Sequence, residues 1–106
     1  MNDSLSRLEA TIAARRAADP ATSYVAKLAA AGRAKIAQKV GEEAVETVIA
    51  AMAGDPAKLT AEAADLIFHL LILLADGGVT LANVTAELER REGVSGLAEK
   101  AARKEA

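Results

Sequence analysis

Ten consecutive residues, Leu66 to Ala75, carry no formal charge and a single polar side chain, His69. A helix built from them is apolar all round, and such a helix has to be buried on every side. The stretch is about half the length needed to cross a bilayer. Its shelter must therefore come from protein. The residues ahead of it set up a helix start. Gly54 suits the left-handed stop of a preceding helix, Asp55 suits an N-cap, and Pro56 fits the first helical position. This predicts a helix over Pro56 to Ala75, polar at first and wholly apolar from Leu66 onward. Asp76-Gly77-Gly78 then reads as a turn.

Composition extends the helical reading to the whole chain. Hydrophobic residues make up 52 % of the 106 positions, yet aromatics supply only 2 %, and 27 residues are alanine. Alanine is the best helix former, whereas strands favour aromatic and β-branched side chains. Leu, Ile, Val and Phe together number 25, enough for one small core and too few for two. The expectation is an all-α helical bundle forming a single domain over residues 1–106. Leu5, Leu8 and Ile12 place a first helix at Leu5 to Ala18, capped by Asp3 or Ser4 and closed at Asp19-Pro20. A short helix follows at Tyr24 to Ala31 and ends at Gly32. A third runs from Arg33 to Ala53, and a last regular one, capped by Thr80, from Leu81 to Arg91. The charged tail, Gly96 to Ala106, is left to fray or to dock on a partner.

Several classes are excluded. With no cysteine and one histidine, there are no disulfides, zinc-thiolate sites, iron–sulfur clusters, thiol nucleophiles or multi-imidazole sites within one chain. A net charge of −2 and the lack of aromatic stacking platforms argue against a nucleic-acid partner. Met1-Asn2-Asp3-Ser4 lacks the basic start and apolar run of a secretory signal. A soluble, cytoplasmic protein with no membrane partner is the expectation. So small a chain hides a wholly apolar helix better as a homodimer.

The chemistry is concentrated in Lys39-Val40-Gly41-Glu42-Glu43-Ala44-Val45-Glu46 and in Glu62-Ala63-Ala64-Asp65. Glu43 and Glu46 share a helix face at i,i+3, Glu42 meets Glu46 at i,i+4, and Lys39 precedes Glu43 by one turn. Glu62 and Asp65 are also i,i+3, and His69 continues their stripe. The Gly54-Asp55-Pro56 turn makes the two helices antiparallel neighbours. Glu46 and Asp65 lie nearly equal distances from that turn, so the two acid pairs are expected at one level of the hairpin. Acidic pairs on alanine-rich helices usually decorate a solvated face. Here they are interleaved with Val40, Val45, Val48 and Ile49, or lead straight into the apolar run. Four or five carboxylates meeting there repel one another and resist ionising, and a cation relieves this. All-oxygen ligands favour Mg²⁺ or Mn²⁺ over Zn²⁺. Such an ion completes its shell with water and phosphate oxygens, which suggests phosphoryl or pyrophosphoryl chemistry. Lys27, Lys35 and Lys39 are candidates to hold phosphates. A di-iron bundle needs Glu-x-x-His, and Leu66 stands three residues before His69. His69 reads as a hydrogen-bonded core residue, and Tyr24 as a packing residue with a tethered hydroxyl.

These residues resemble a known family. Glu42-Glu43-x-x-Glu46 with Glu62-x-x-Asp65 is similar to the signature of the all-α nucleoside-triphosphate pyrophosphohydrolases, the MazG-like group. The surroundings are more specific. Ser23-Tyr24-Val25-Ala26-Lys27-Leu28, Lys39-Val40-Gly41-Glu42-Glu43, Ala64-Asp65-Leu66-Ile67-Phe68-His69-Leu70-Leu71 and Glu87-Leu88-Glu89-Arg90-Arg91 with Ser95-Gly96-Leu97-x-Glu99-Lys100 resemble the phosphoribosyl-ATP pyrophosphohydrolases of histidine biosynthesis. The likeness runs from Leu5 to about Arg103. It implies hydrolysis of phosphoribosyl-ATP to phosphoribosyl-AMP and pyrophosphate by magnesium-activated water attack on the triphosphate, the second step of L-histidine synthesis. It also implies a cytoplasmic dimer of interlocked helices. Carried over, Glu43, Glu46, Glu62 and Asp65 are metal ligands. Glu42 holds a second ion or orients the water, and with Glu43 forms the catalytic pair. Lys39 and Lys27 contact phosphates, Lys35 stays a phosphate-holding candidate by its charge, and Tyr24, Arg90 and Arg91 are candidate substrate contacts. Phe68 stands where the family often has Tyr, and Ala63 where Ser is common. The cyclohydrolase domain to which some members are fused is not in this sequence, so a separate protein is expected to take the next step. Two other readings stand beside this one. The first is a house-cleaning enzyme acting on dUTP or damaged nucleotides. The second is a non-catalytic helical dimerisation module.

Overall fold

Capping chemistry sets the helix boundaries in the computed structural model, which describes residues 3–93 and 96–105. The elements are α1 (Ser4–Arg15), α2 (Tyr24–Ala31), α3 (Arg33–Met52), α4 (Pro56–Asp76), α5 (Leu81–Arg90) and α6 (Gly96–Glu105). Ser23 caps α2 by accepting from the Ala26 N–H, and Asp55 caps α4 by accepting from Lys58. Thr80 and Asn83 form a reciprocal capping box on α5, each side chain bonding the other's backbone N–H at 3.0 Å. Gly54, at φ 72°, makes the left-handed turn that reverses the chain between α3 and α4. The all-α expectation holds for every described element.

Four details depart from the sequence reading. The first helix ends at Arg15 rather than Ala18, because Asp19 organises a turn of its own. Its carboxylate accepts from Ala21 N–H at 2.9 Å and its carbonyl from the N–H groups of Thr22 and Ser23. Asp3 occupies the N-cap of α1 with no side-chain cap bond. Asp76 belongs to the last turn of α4, not to the loop. The tail, left to fray or dock, is helical over Gly96–Glu105; Ala106 lies outside the described residues.

The α3–α4 hairpin is the axis of the fold, and α1 and α2 pack against it. The core gathers Ile12, Val25, Leu28, Ile36, Leu71 and Ile72, with Leu8, Phe68, Leu73, Leu74 and Leu81 around them. Each large side chain so buried contributes roughly 1.5–3 kcal/mol. The expectation that α4 is buried on all sides fails within one chain. Ile67 and Leu70 of α4 are exposed, and so are Val45, Val48, Ile49 and Met52 of α3. One flank of the hairpin thus presents apolar side chains to solvent, because Ile12 of α1 and Val25 and Leu28 of α2 cover only the other flank. Among the described residues no single helix is long and apolar enough to cross a membrane.

An ion cluster closes the end of the bundle. Asp76 accepts from Arg16 Nη2 at 3.1 Å and from Arg33 Nε at 2.7 Å, and its carbonyl accepts from Arg33 Nη2 at 2.9 Å. One side chain thereby ties α4 to α1 and to the start of α3. The Arg33 guanidinium, and then Arg16, hold the Asp76 carboxyl below its usual range. A carboxyl depressed in the folded state stabilises the fold above its unfolded value, and that contribution disappears as pH falls through the folded one. Asp76→Asn is therefore expected to lower the melting temperature by a few degrees at pH 7. The gap to wild type should close as the pH is taken below about 4. Melts across that range check it, and equal melting at pH 7 would show that the cluster is decoration.

Candidate metal centre

The acids of α3 and α4 meet because both helices run back from the same tight turn. Carboxylate oxygens of Glu43, Glu62 and Asp65 all lie within 4.8 Å of one another. Glu43 comes from α3, while Glu62 and Asp65 sit one turn apart on α4. Glu43 points into the seam and is only 8 % exposed, Glu62 is half-buried, and Asp65 opens to solvent. Glu43 Oε2 is fully buried with no hydrogen-bond partner among the described residues. Burial, and then the neighbouring Glu46 carboxylate, push the Glu43 carboxyl up. An orphaned carboxylate oxygen beside two further acids is costly on its own and suits a hard cation.

Glu46 takes a different position from the one its distance from the turn suggests. Three residues past Glu43 it is rotated about 60° off the seam and is exposed. It borders Glu43 and lies outside the tight cluster, so Glu43 is the residue that faces Asp65. Glu42 is also exposed and is engaged on its own helix. Gln38 Nε2 donates to it at 3.0 Å and Lys39 Nζ lies 3.4 Å away, and these two hold its carboxyl below the usual range. Lys39 also reaches Glu43 at 4.0 Å.

Two open cavities flank the acids. One, of about 750 Å³, runs along α3 past Lys39, Glu42, Glu43 and Glu46. The other, of about 310 Å³, lies between α2 and α3 and is lined by Tyr24, Lys27, Lys35, Lys39 and Glu42. The three lysines named from sequence therefore line one cavity, Lys27 from α2 and Lys35 and Lys39 from α3. Arg90 and Arg91 are placed elsewhere, on α5. Arg90 clasps Glu87 through two bonds at 2.8 and 2.9 Å, and Arg91 reaches the same carboxylate at 3.0 Å.

Sequence reasoning missed a polar link next to the cluster. Tyr24 Oη lies 2.7 Å from His69 Nε2, and His69 Nδ1 lies 2.8 Å from the Asp65 carbonyl oxygen. His69 is the hydrogen-bonded core residue expected, 5 % exposed, and the Tyr24 hydroxyl is tethered as expected. The i,i+3 and i+4 stripe of Glu62, Asp65 and His69 was visible in the sequence. The tyrosine's choice of partner, many residues away, left no local trace.

This arrangement defines a class: an all-α protein with a carboxylate cluster fit for a divalent cation, beside a lysine-lined, anion-sized cavity. Comparison with known proteins narrows it. Residues 5–92 match the family model described as phosphoribosyl-ATP pyrophosphohydrolase. A protein of Rhizorhabdus wittichii named phosphoribosyl-ATP pyrophosphatase is 72 % identical over 97 % of this chain and 97 % of its own. Proteins of the same name from Novosphingobium aromaticivorans and Dinoroseobacter shibae are 69 % and 64 % identical, each over 93 % of this chain and over 92 % and 97 % of their own. The chain belongs to the phosphoribosyl-ATP pyrophosphohydrolase family, and it is a hydrolase.

Proposed function

We propose that this protein, as a single domain over residues 1–106, hydrolyses phosphoribosyl-ATP to phosphoribosyl-AMP and pyrophosphate, the second step of L-histidine synthesis in the cytoplasm. The observation that carries the reading is the Glu43, Glu62 and Asp65 cluster with its orphaned Glu43 oxygen, in a chain of this family. These three acids, with Glu46 at their edge, are the residues to hold Mg²⁺ or Mn²⁺. Bound there, a divalent ion supplies neutralising charge to a phosphate chain.

The chain's own groups divide the remaining work. Lys27, Lys35 and Lys39 line the smaller cavity and present point charges to the triphosphate. Glu42 stays ionised because Gln38 and Lys39 stabilise its charged form. A carboxylate of lowered pKa is a weak base, so its part is to orient a water by accepting a hydrogen bond. Tyr24 offers a half-exposed ring at the same cavity. Arg90 and Arg91 are retained as substrate contacts only if α5 reaches the nucleotide, in the same chain or across a dimer.

The apolar flank of the hairpin favours a homodimer as the working form. Val48 is 61 % and Met52 82 % exposed in one chain, and a second copy is the partner whose matching face would cover them. The test of the function is release of pyrophosphate and phosphoribosyl-AMP with Mg²⁺, set against dUTP and ATP. The expected result is Mg²⁺-dependent turnover that favours phosphoribosyl-ATP. Equal or greater turnover of plain nucleoside triphosphates would favour the house-cleaning reading, and a folded protein without turnover would leave a dimerisation module.

A further inference from the structure

We propose that Tyr24 and His69 form a positioning relay that holds the turn of α4 presenting Glu62 and Asp65 to Glu43. The inference rests on reading those acids as the ion-holding group. Its starting point is the direction of the two hydrogen bonds. The Asp65 carbonyl can only accept, so His69 Nδ1 carries the hydrogen and donates to it at 2.8 Å. In the neutral ring Nε2 is then an acceptor, and it takes the Tyr24 hydroxyl hydrogen at 2.7 Å. The imidazole is committed at both nitrogens. Neither nitrogen is therefore left free to ligate a metal.

In an α-helix the Asp65 carbonyl already serves the N–H four residues on. The imidazole adds a second donor to that oxygen from inside the packed core, where the ring is almost fully buried. Its orientation is fixed on two sides, with edge contacts to Phe68 at 5.3 Å and Tyr24 at 5.6 Å between ring centroids. The facing helix shows the same device: Thr47 Oγ1 donates to the Glu43 carbonyl at 2.8 Å. Two of the three clustered acids, Glu43 and Asp65, thus have their backbone carbonyls gripped by a side chain one turn later. The α4 grip extends further, because Tyr24 belongs to α2. Through it, the helix bearing Lys27 is tied to the helix bearing Asp65.

Partners that orient ligand-bearing groups typically govern metal affinity by about 10–100-fold. The two halves of the relay can be separated by substitution. His69→Asn keeps a donor near the Nδ1 position and loses the reach to Tyr24, and His69→Gln does the reverse. Tyr24→Phe deletes only the hydroxyl. The experiment measures Mn²⁺ binding by electron paramagnetic resonance, melting temperature, and kcat and KM for pyrophosphate release. Tyr24→Phe is expected to weaken Mn²⁺ binding about ten-fold with little change in melting. His69→Asn should match it, and His69→Gln should lose more, because the contact to Asp65 goes. The double variant Tyr24→Phe, His69→Asn should be no worse than His69→Asn alone, since both remove the same bond. Wild-type Mn²⁺ affinity in Tyr24→Phe, or losses that multiply in the double variant, overturn the relay alone. A wild-type protein that binds no Mn²⁺ overturns the ion-holding reading, and the relay with it. Should the histidine variants fail to fold, Tyr24→Phe decides.

Discussion

Glu43→Gln is expected to abolish turnover while making the ion-free protein harder to melt. The two effects share one cause. Glu43 is the most buried of the acids, and its Oε2 has no partner. If Glu43 holds the ion as proposed, removing its charge takes away the ligand at the centre of the cluster. Orienting partners alone cost about 10–100-fold, so the loss of activity should exceed about a hundred-fold. Without an ion, the same charge is a liability: an unsatisfied buried polar group costs roughly 1–3 kcal/mol, and more if charged. Relief of about 1 kcal/mol corresponds to a rise of about 4–8 °C in melting temperature for a domain of this size. The pH dependence has a definite sign. Burial raises the folded carboxyl above its unfolded value, so the folded protein holds the proton more tightly. Stability of the ion-free wild type therefore falls as pH rises through that window, and the penalty is complete above it. The gain in Glu43→Gln should be present at pH 7 and vanish in acid, where wild-type Glu43 is protonated. Mg²⁺ should stabilise wild type and leave the variant unmoved. Calorimetry with and without Mg²⁺, at acid and neutral pH, reads all of this. A variant that melts below wild type in the absence of ions would count against the charge-repulsion account.

The second large effect concerns the apolar flank. Ile49→Asp is expected to leave the chain helical and to split the proposed dimer. Burying an Ile side chain is worth roughly 1.5–3 kcal/mol. In a two-fold interface each substitution occurs twice, so roughly 3–6 kcal/mol is at stake before the cost of burying a carboxylate is added. That raises the dissociation constant by at least about a hundred-fold. Sedimentation at micromolar concentration should find a dimer for wild type and a monomer for the variant. Activity should fall with it, because Val45 and Glu46 lie where the flank meets the acids. A wild-type monomer with full activity would remove the interface from the account.

Much of this fold could be read locally. Asp55, Pro56 and Thr80 announce helix starts by their own side-chain chemistry, and Gly32 and Gly54 adopt the positive φ that marks helix ends. The boundaries followed to within a residue or two, except at Arg15, where Asp19 makes a competing turn. The acid pairs were legible as well, since spacing on one helix fixes a shared face. What spacing could not fix was which acid faces the seam. Counting from the turn set the two acid pairs at one level and kept both Glu43 and Glu46, whereas side-chain direction around α3 brings Glu43 to Glu62 and Asp65. The links across the chain were invisible for the same reason. Asp76 with Arg16 and Arg33, and Tyr24 with His69, join residues whose neighbours in sequence say nothing of the partner. The apolar run misled in one respect: it announced burial, but not that one chain supplies only part of the cover.

The three-residue reversal at Gly54 has a consequence for how the centre comes into being. Every acid of the cluster, from Glu43 to Asp65, lies on the two arms of one helical hairpin. Such contacts close a short loop of chain, which costs little entropy. Pairing of the two arms brings the acids together, and electrostatic repulsion opposes it. Divalent ions should act as folding accelerants as well as cofactors. The loop itself becomes intolerant of length change, since one inserted residue turns an arm by about 100° and separates Glu43 from its partners.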